Sequence, residues 1–319
     1  MKIATLVSIL ALCAGSAMAQ TASYPDKPIK IIVPVAAGGF LDASVRVLGE
    51  RLTRSMGQPV VVENRAGASG ITAATAVARA APDGYTLLVG TIGVLAVNPG
   101  LFANLPYNTL KDFAPVSLTA ATPSMLVVHP SVPVRTVREL IAYAKANPGK
   151  LNFASPGNGT TPHLAGELFK TLAQVEATHV PYKGSAPALT DLLAGRVEMM
   201  FDNVVASLQH VRQGRLRVLA VTSPKRSELL PDVPTMAEAG LPDQEIMGWT
   251  GILAPAGTPK EIVDKLAGEF TRAVRSADVQ ARFEGMNFVG GTPEEFDALI
   301  RSELTKWTQV VKDARIKAD

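Results

Sequence analysis

Short runs of apolar residues alternate along this chain with stretches in which apolar residues recur at helical spacing. Residues 31–35 form a continuous, β-branched run, which is typical of a strand that is covered on both faces. A glycine turn follows, and Leu48 and Leu52 then lie at the spacing of a helix. Residues 60–64 and 85–89 begin further units of the same kind. The pattern therefore predicts three successive strand–turn–helix units in the first part of the chain.

The same alternation begins again after the Pro148-Gly149 break. Strands are predicted over residues 151–155, 178–182 and 197–201, each followed by a turn and a helix. Such alternation predicts an α/β protein whose sheets are parallel and carry helices on both faces. In sheets of this kind the ligand lies outside the carboxyl ends of the strands. Two sheets whose carboxyl-end loops face each other would form a cleft between two lobes.

The order of the strands also predicts how the chain passes between the lobes. We expect the first crossing near residues 121–124 and the return near residues 216–222. This assigns to the first lobe residues 20–122 and 223–319, and to the second lobe residues 123–222. The last helices of the chain are then expected to pack on the first lobe.

The first residues carry the pattern of a secretory signal peptide. Lys2 supplies a positive charge, residues 3–14 are apolar, and residues 17–19 (Ala-Met-Ala) match a cleavage site. The apolar run is shorter than the about 20 residues that span a bilayer, which disfavours the alternative of a membrane anchor. We therefore expect residues 1–19 to be removed, together with Cys13, the only cysteine, and the mature protein to be periplasmic.

Composition and charge narrow the possible functions. The chain is 47% hydrophobic and 18% charged, which fits a well-packed globular protein. A net charge of +3 without a lysine- or arginine-rich run, and an aromatic content of 5%, argue against nucleic-acid binding. No P-loop or G-x-S-x-G motif is present, and the histidines do not pair at metal-ligand spacing. We therefore expect no metal, no cofactor and no enzymatic site.

The turn after the first strand contains the first candidate ligand residues. Gly38 and Gly39 let a ligand approach the backbone, and the helix that follows presents free N–H groups and the positive end of its dipole. Such a helix start suits a carboxylate as well as a phosphate. Phe40 and Leu41 come next, and Phe40 is interpreted either as a core residue or as a wall of the cleft. Asp42 is placed at the N-cap, where it either caps the helix or accepts a hydrogen bond from a ligand ammonium or hydroxyl group.

Similar turns follow the other predicted strands, and their repetition favours a binding role over plain strand–helix connections. In the first lobe the further candidates are Ser69, Thr91 and Ile92. In the second lobe they are Ser155, Asn158, Gly159, Thr160, Thr161, His163, Asp202 and Asn203. Hydroxyl groups beside a helix start can bind a carboxylate or a bridging water, although turn chemistry alone also explains several of these residues. For His163, a packed or capping side chain is the alternative to ligand contact.

Seven segments together make the sequence similar to a known family. They are residues 33–46, 63–70, 152–163, 179–184, 219–222, 230–235 and 254–259. With these segments the chain resembles the extracytoplasmic solute receptors of tripartite tricarboxylate transporters, the Bug family. The resemblance implies a type II periplasmic-binding-protein fold with two lobes, each a sheet flanked by helices, joined by a two-strand hinge. It also implies a small carboxylate ligand, held by backbone amides and bridging waters from the glycine loops of both lobes.

The first turn departs from the family pattern. Where the family often has Pro-Gly-Gly and then a small residue, this chain has Ala37, Gly38 and Gly39 followed by the bulky Phe40 and Leu41. We still expect this turn to bind a carboxylate, while the size and identity of the ligand stay open.

These observations predict a periplasmic receptor that closes two lobes on a small organic carboxylate and delivers it to integral-membrane transporter subunits. The receptor is expected to be a monomer. Two other hypotheses remain open at this point: an exported α/β enzyme that acts on a small carboxylate, and a ligand sensor of a signalling system. Turnover would distinguish the enzyme from the receptor, and the neighbouring genes would distinguish the sensor.

Overall fold

The computed structural model describes residues 24–283 and 286–313; the predicted signal peptide, residues 1–19, lies outside them. The strands are β1 (Ile29–Val33), β2 (Val60–Asn64), β3 (Thr86–Thr91), β4 (Phe113–Val128), β5 (Asn152–Ser155), β6 (Thr178–Pro181), β7 (Met199–Asn203), β8 (Arg217–Val221), β9 (Met247–Pro255) and β10 (Asn287–Phe288). The helices are α1 (Phe40–Met56), α2 (Ile71–Ala78), α3 (Asn98–Leu101), α4 (Val137–Ala146), α5 (Thr161–Ala173), α6 (Ser185–Leu193), α7 (Val204–Arg212), α8 (Lys260–Val274), α9 (Ala277–Ala281) and α10 (Pro293–Asp313). A π-helical segment, Gly93–Val97, precedes α3. Over these described ranges, no helix combines the length and the apolar character needed to cross a membrane.

The first sheet, sheet A, has the strand order β2-β1-β3-β9-β4-β10. Strands β1, β2 and β3 are parallel to one another, as their alternation with helices predicts. Strands β9 and β10 run antiparallel to their neighbours, so the prediction of an entirely parallel sheet is wrong. Parallel pairing needs a crossover connection between the paired strands, and β9 instead reaches β3 after the chain has passed through the second sheet.

The second sheet, sheet B, has the strand order β8-β4-β7-β5-β6. Strands β5, β6 and β7 are parallel, whereas β4 and β8 run antiparallel to their neighbours. Each sheet therefore repeats one plan. Three parallel strands lead into turns and helices at their carboxyl ends, and antiparallel strands complete the sheet.

Strand β4 belongs to both sheets and is the first connection between them. Its residues up to Pro123 pair with β9, and from Ser124 onward they pair with β7. The sequence predicts two extended segments with a link at residues 119–124, and the structure corrects this to one continuous strand because both sheets extend the ladder across the link. The Oγ1 atom of Thr222 accepts a hydrogen bond from the Ser124 N–H (2.9 Å) and lies 2.6 Å from the carbonyl of Ile246, which ties the crossing to the return. The division into lobes stays a prediction, which the change of pairing partner supports.

Both faces of the central strands are buried, as the continuous apolar runs predict. On one face of sheet A, Ile31 packs in a cluster with Leu48 of α1 and Phe270 of α8. On the other face, Ile32 joins a larger cluster that includes Trp307 of α10 and continues into sheet B. The helices α8 and α10 therefore pack on opposite faces of sheet A.

Candidate functional site

The predicted ligand residues lie in the turns at the carboxyl ends of the parallel strands or close beside these turns. We call residues 34–39, between β1 and α1, the first corner, and residues 65–70, between β2 and α2, the second corner. Residues 156–160, between β5 and α5, are the opposing corner. The three corners are held in different ways, and this decides which of their groups are open to a ligand.

The first corner leaves the start of α1 without a side-chain cap. Gly38 has a φ of 87°, in the left-handed region that favours glycine. Gly39 is the N-cap, and among the described residues no side chain bonds to the N–H groups of the first turn. The N–H groups of Phe40, Leu41 and Asp42 therefore have no acceptor within the helix. The side chain of Phe40 lies outside the described part of the structure, so its role in the cleft stays a prediction.

Asp42 holds the first corner from within the helix. The prediction that Asp42 is the N-cap is wrong: Gly39 takes that position, and Asp42 is the third residue of α1. Its carboxylate is buried and accepts hydrogen bonds from the Gly38 N–H (2.9 Å), Arg46 Nε (3.0 Å) and Asn64 Nδ2 (2.9 Å). Burial alone would raise the pKa of Asp42, but the hydrogen bonds from Arg46, Gly38 and Asn64 outweigh it and hold the pKa below its ordinary value. A ligand would have to displace one of these donors to reach the carboxylate.

Residues 67–70 of the second corner are strained. They all have positive φ, including the non-glycine residues Ala68 (46°) and Ser69 (52°). An L-residue in this conformation costs about 1–2 kcal/mol. A Cβ added to Gly70 would lie 2.6 Å from Val94 Cγ2, so the corner is pressed against the π-helical segment. Strain of this kind is frequent at ligand sites, which is consistent with the prediction for Ser69.

Asn98, which the sequence analysis did not single out, anchors the second corner. Its side chain is fully buried, and Nδ2 donates to the carbonyl of Ser69 (3.0 Å) and to the hydroxyl of Tyr107 (3.3 Å). That hydroxyl donates in turn to the carbonyl of Val94 (2.5 Å). Burial raises the pKa of Tyr107 to about 12, so the hydroxyl keeps its proton. No local pattern identifies Asn98, because Ser69 lies 29 residues away in the sequence.

Thr91, the last residue of β3, and Ile92, which follows it, have different surroundings. The Oγ1 atom of Thr91 accepts a hydrogen bond from the Val94 N–H (3.3 Å) at the start of the π-helical segment. Ile92 is buried in the larger core cluster. Ile92 can therefore offer a ligand only its backbone.

The opposing corner uses its own hydroxyl groups. Ser155 is fully buried, and its Oγ accepts a hydrogen bond from the Gly157 N–H (3.1 Å) and lies 2.6 Å from His179 Nε2. The hydroxyl of Thr160 donates to the carbonyl of Gly157 (2.6 Å). These groups shape the corner, so their contacts give no support to a direct role in binding a carboxylate. Asn158 is half-buried in the same corner.

His163 supports the opposing corner through its ring. Its Nδ1 accepts a hydrogen bond from the Gly159 N–H (3.0 Å). The ring stacks on His179 with 4.1 Å between centroids, and His179 stacks on Phe153 at 4.8 Å. Burial, with smaller effects of His179 and Lys170, lowers the pKa of His163 to about 3, so the ring is neutral at ordinary pH. These contacts favour the interpretation of a packed, capping histidine.

Helix α5 begins as openly as α1. Thr160 is its N-cap, and no side chain in the described part of the chain bonds to the N–H groups of its first turn. Pro162 has no N–H, so the N–H groups of Thr161 and His163 are the ones without an acceptor in the helix. Thr161 itself is half-buried. The open groups of the opposing corner are therefore backbone amides.

Asp202 and Asn203 end β7, opposite Met125 and Ser124 of β4. Asp202 is fully buried, and the hydroxyl of Ser207 on α7 donates to its Oδ2. Its Oδ1 has no hydrogen-bond partner among the described residues. Burial raises the pKa of Asp202 to about 6, although the hydrogen bond from Ser207 opposes this shift. Asp202 thus lies against α7 rather than on an open surface, while Asn203 is half-buried.

The two sheets meet where the opposing corner contacts the π-helical segment. A Cβ added to Gly93 would lie 2.5 Å from the carbonyl oxygen of Gly159. A Cβ added to Gly159 would lie 3.7 Å from Asn98 Oδ1. The structure therefore brings Gly159 together with Gly93 and Asn98 and, through Asn98, with Ser69. Gly93 is a second residue that the sequence analysis missed, although it closely follows Thr91 in the chain.

A hollow of about 400 Å³ lies away from the corners, at the ends of β4 and β8 that are remote from the crossing. It is lined by Pro130, Pro133, Val134, Arg135, Glu139 and Arg217. None of the predicted ligand residues lines it. We therefore treat the hollow as separate from the candidate site.

Ser155 and His179 have the residue types of a catalytic dyad. Ser155 and His179 are at hydrogen-bond distance, as a nucleophile and its base would be. Ser155, however, is fully buried and its oxygen already accepts a hydrogen bond from Gly157, so it is not presented for attack. Within the described part of the chain, no group of three or more His, Cys, Asp or Glu residues could hold a metal ion.

Comparison with known proteins gives consistent matches over the whole fold. A family model described as the tripartite tricarboxylate transporter family receptor matches residues 44–316. BugT of Bordetella pertussis is 39% identical over 320 residues, which cover 99% of this chain and 98% of BugT. A solved R. palustris protein with adipate has a TM-score of 0.85 and 40% identity, and the match covers 92% of this chain and 99% of that one. MatC from Rhodopseudomonas palustris with bound malate has a TM-score of 0.83 and 35% identity, with 90% and 100% covered.

These matches confirm the resemblance that the sequence segments indicate and the α/β fold of periplasmic binding proteins. The family is one of solute-binding receptors, which is not a class of enzymes. The chain belongs to the tripartite tricarboxylate transporter receptor family, among the Bug proteins.

Proposed function

We propose that this protein is a periplasmic solute-binding receptor that captures a small organic carboxylate between its two sheets and delivers it to the membrane subunits of a tripartite tricarboxylate-type transporter. Family membership supports the receptor role, and the predicted signal peptide supports the periplasmic location. The ligand is held by backbone amides of the corners rather than by a charged side chain.

The observation that carries this proposal is that helices after parallel strands of both sheets begin without a side-chain cap from the described residues, α1 and α2 beside sheet A and α5 and α6 beside sheet B. Away from the corners α8 also lacks such a cap, but two other helices begin differently. Thr136 accepts a hydrogen bond from the Glu139 N–H (3.1 Å) at α4, and Thr292 accepts one from the Glu295 N–H (3.2 Å) at α10. Such caps satisfy the donors that an anion would otherwise bind. Free donors together with the positive end of the helix dipole make α1 and α5 suited to carboxylates.

The relatives suggest the class of ligand. One R. palustris structure contains adipate and another contains malate, and both ligands carry two carboxylates. Two uncapped helix starts, one from each sheet, match two carboxylates on one small molecule. We therefore propose a dicarboxylate as ligand, with α1 and α5 each facing one carboxylate.

Capture requires that the two sheets close on the ligand. Strand β4 continues from one sheet into the other, and the segment after β8 provides the return. Two connections of this kind allow a hinge motion in which the lobes move as units. Ligand binding then favours the closed arrangement through contacts that only the closed arrangement makes.

Thermal unfolding and calorimetric titration with malate, adipate, citrate and glutamate test the proposal. A ligand at about a hundred times its dissociation constant stabilises the folded protein by about 2.7 kcal/mol. We expect at least one dicarboxylate to bind and none of the acids to be converted. The proposal is wrong if no acid in this series binds.

The role of the α5 amides can be separated from that of the Thr161 hydroxyl. Thr161→Pro removes the first helical N–H, and Thr160 already has the extended conformation (φ −75°, ψ 155°) that precedes a proline. Thr161→Val removes the hydroxyl and keeps the N–H. We expect the Pro variant to bind the dicarboxylate about tenfold more weakly than the Val variant. Equal affinities of the two variants would contradict amide binding at α5.

A further inference from the structure

The contact between Gly93 and Gly159 is tight at one point only. A Cβ on Gly93 would lie 2.5 Å from the Gly159 carbonyl oxygen, while its next neighbours are the Gly159 carbonyl carbon at 3.5 Å and Thr91 Oγ1 at 3.8 Å. Gly93 lies within the π-helical segment and does not have a left-handed φ. An alanine would therefore fit the local backbone, and only the approach of the opposing corner excludes it.

Asn98 stands beside this contact and reaches both corners. Its Nδ2 holds the carbonyl of Ser69 in the strained second corner. Its Oδ1 faces Gly159 of the opposing corner and has no hydrogen-bond partner among the described residues. A fully buried acceptor without a donor costs folding free energy. Because Asn98 is fully buried between the two sheets, its Oδ1 atom is also closed off from water.

We propose that Gly93 and Asn98 form a seat on which the opposing corner closes, and that both are positioning residues for ligand capture. The inference rests on the proposed function, because a seat has a role only if the sheets open and close. Gly93 sets how closely the carbonyl of Gly159 can approach. Asn98 couples that approach to the conformation of the second corner. The size of residue 93 then limits closure and, through closure, affinity.

The direct test is Gly93→Ala, with Gly268→Ala as the matched control. Gly268 lies within α8, where an added Cβ would meet its nearest atom, Arg272 Nη1, at 3.6 Å. Protein purified from the periplasm is examined by small-angle X-ray scattering without ligand, with malate and with adipate, and by calorimetric titration with both acids. We expect Gly93→Ala to be more expanded than wild type, and to bind whichever acid wild type binds at least about tenfold more weakly. Gly268→Ala should match wild type in both measurements.

The outcomes separate this inference from the proposed function. If wild type binds an acid and Gly93→Ala equals it in affinity and in dimensions, the seat is wrong and the receptor function stands. If wild type binds neither acid but Gly93→Ala is expanded, the seat is supported and neither malate nor adipate is the ligand. Equal dimensions in every condition, without binding, overturn the seat.

A second variant, Asn98→Asp, removes the donor to Ser69 and keeps the shape of the side chain. It should weaken binding in the same direction as Gly93→Ala and increase amide hydrogen exchange in residues 67–70. Circular dichroism verifies that each variant is folded. If Asn98→Asp does not fold, Gly93→Ala alone decides the inference. Wild-type affinity and wild-type exchange in a folded Asn98→Asp would remove Asn98 from the seat.

Discussion

Asp42 and Asp202 are both buried carboxyl groups near the carboxyl ends of strands, yet their pKa values are shifted in opposite directions. Asp42 accepts hydrogen bonds from Gly38, Arg46 and Asn64, and these donors hold its pKa below the ordinary value. Asp202 has the hydroxyl of Ser207, and burial raises its pKa to about 6. The shifts differ in direction because Asp202 is the more deeply buried carboxyl group, whereas Asp42 has three donors that include a charged guanidinium group.

A similar difference separates the first corner from the opposing corner. The first corner is exposed and is held by the ionised pair of Asp42 and Arg46, where solvent reaches the arginine. The opposing corner is held by neutral groups, with His163 kept uncharged by burial. A buried charge needs full compensation, whereas neutral hydrogen bonds do not. Both corners precede a helix that begins without a side-chain cap, yet an ion pair holds one corner and neutral hydrogen bonds hold the other.

The largest effect is expected from His163→Leu. The variant leaves the buried Gly159 N–H without an acceptor and removes the stack on His179, which should lower the free energy of unfolding by about 3 kcal/mol. Chemical denaturation at neutral pH measures the change. His210→Leu, at a half-buried histidine of α7, is the control and should change stability by less than about 0.5 kcal/mol. Equal effects of the two variants would show that the opposing corner does not depend on the ring of His163.

A smaller effect of opposite sign is expected from Asp202→Asn. The pKa of Asp202 is raised from an ordinary value of about 3.9, so wild type loses stability as the pH rises through about 6, while asparagine does not titrate. The variant should be more stable than wild type by up to about 2 kcal/mol at pH 8, and this gain should vanish below about pH 4. Unfolding curves across this pH range measure both. A variant that is less stable than wild type at pH 8 would contradict this account of Asp202.

The smallest effect on stability is expected from Asp42→Asn, and its sign is opposite to that of Asp202→Asn. The pKa of Asp42 is lowered, so the stability it contributes is present above about pH 4 and is lost as the pH falls further. We expect the variant to be about 1 kcal/mol less stable than wild type at neutral pH, since Arg46 is partly exposed and loses little. Wild type and variant should converge in acid. A deficit that persists in acid would mean that the two acceptor oxygens of Asp42, and not its charge, hold the first corner.

The features of the fold that the sequence predicts correctly are those that short, local sequence patterns determine. The parallel strands and the glycine corners follow from apolar runs and from turns that only glycine adopts readily, as at Gly38. The antiparallel insertion of β9 and the continuity of β4 could not be predicted, because they depend on pairing with strands far away in the sequence. The sequence predicts Asp42 as the N-cap, three positions too early in the helix, because the backbone geometry that makes Gly39 the N-cap leaves no local signal. Gly93 and Asn98 were missed because their significance depends on the approach of Gly159.

The central claim is that backbone amides at the starts of α1 and α5 hold the carboxylates of the ligand. Titration of ¹⁵N-labelled protein with malate and with adipate, followed by amide chemical shifts, tests it most directly. The account predicts that the acid that binds shifts the amides of Leu41, Asp42, Thr161 and His163 most strongly. Largest shifts around Arg135 and Arg217 in the separate hollow, with the amides of α1 and α5 unchanged at saturation, would contradict it.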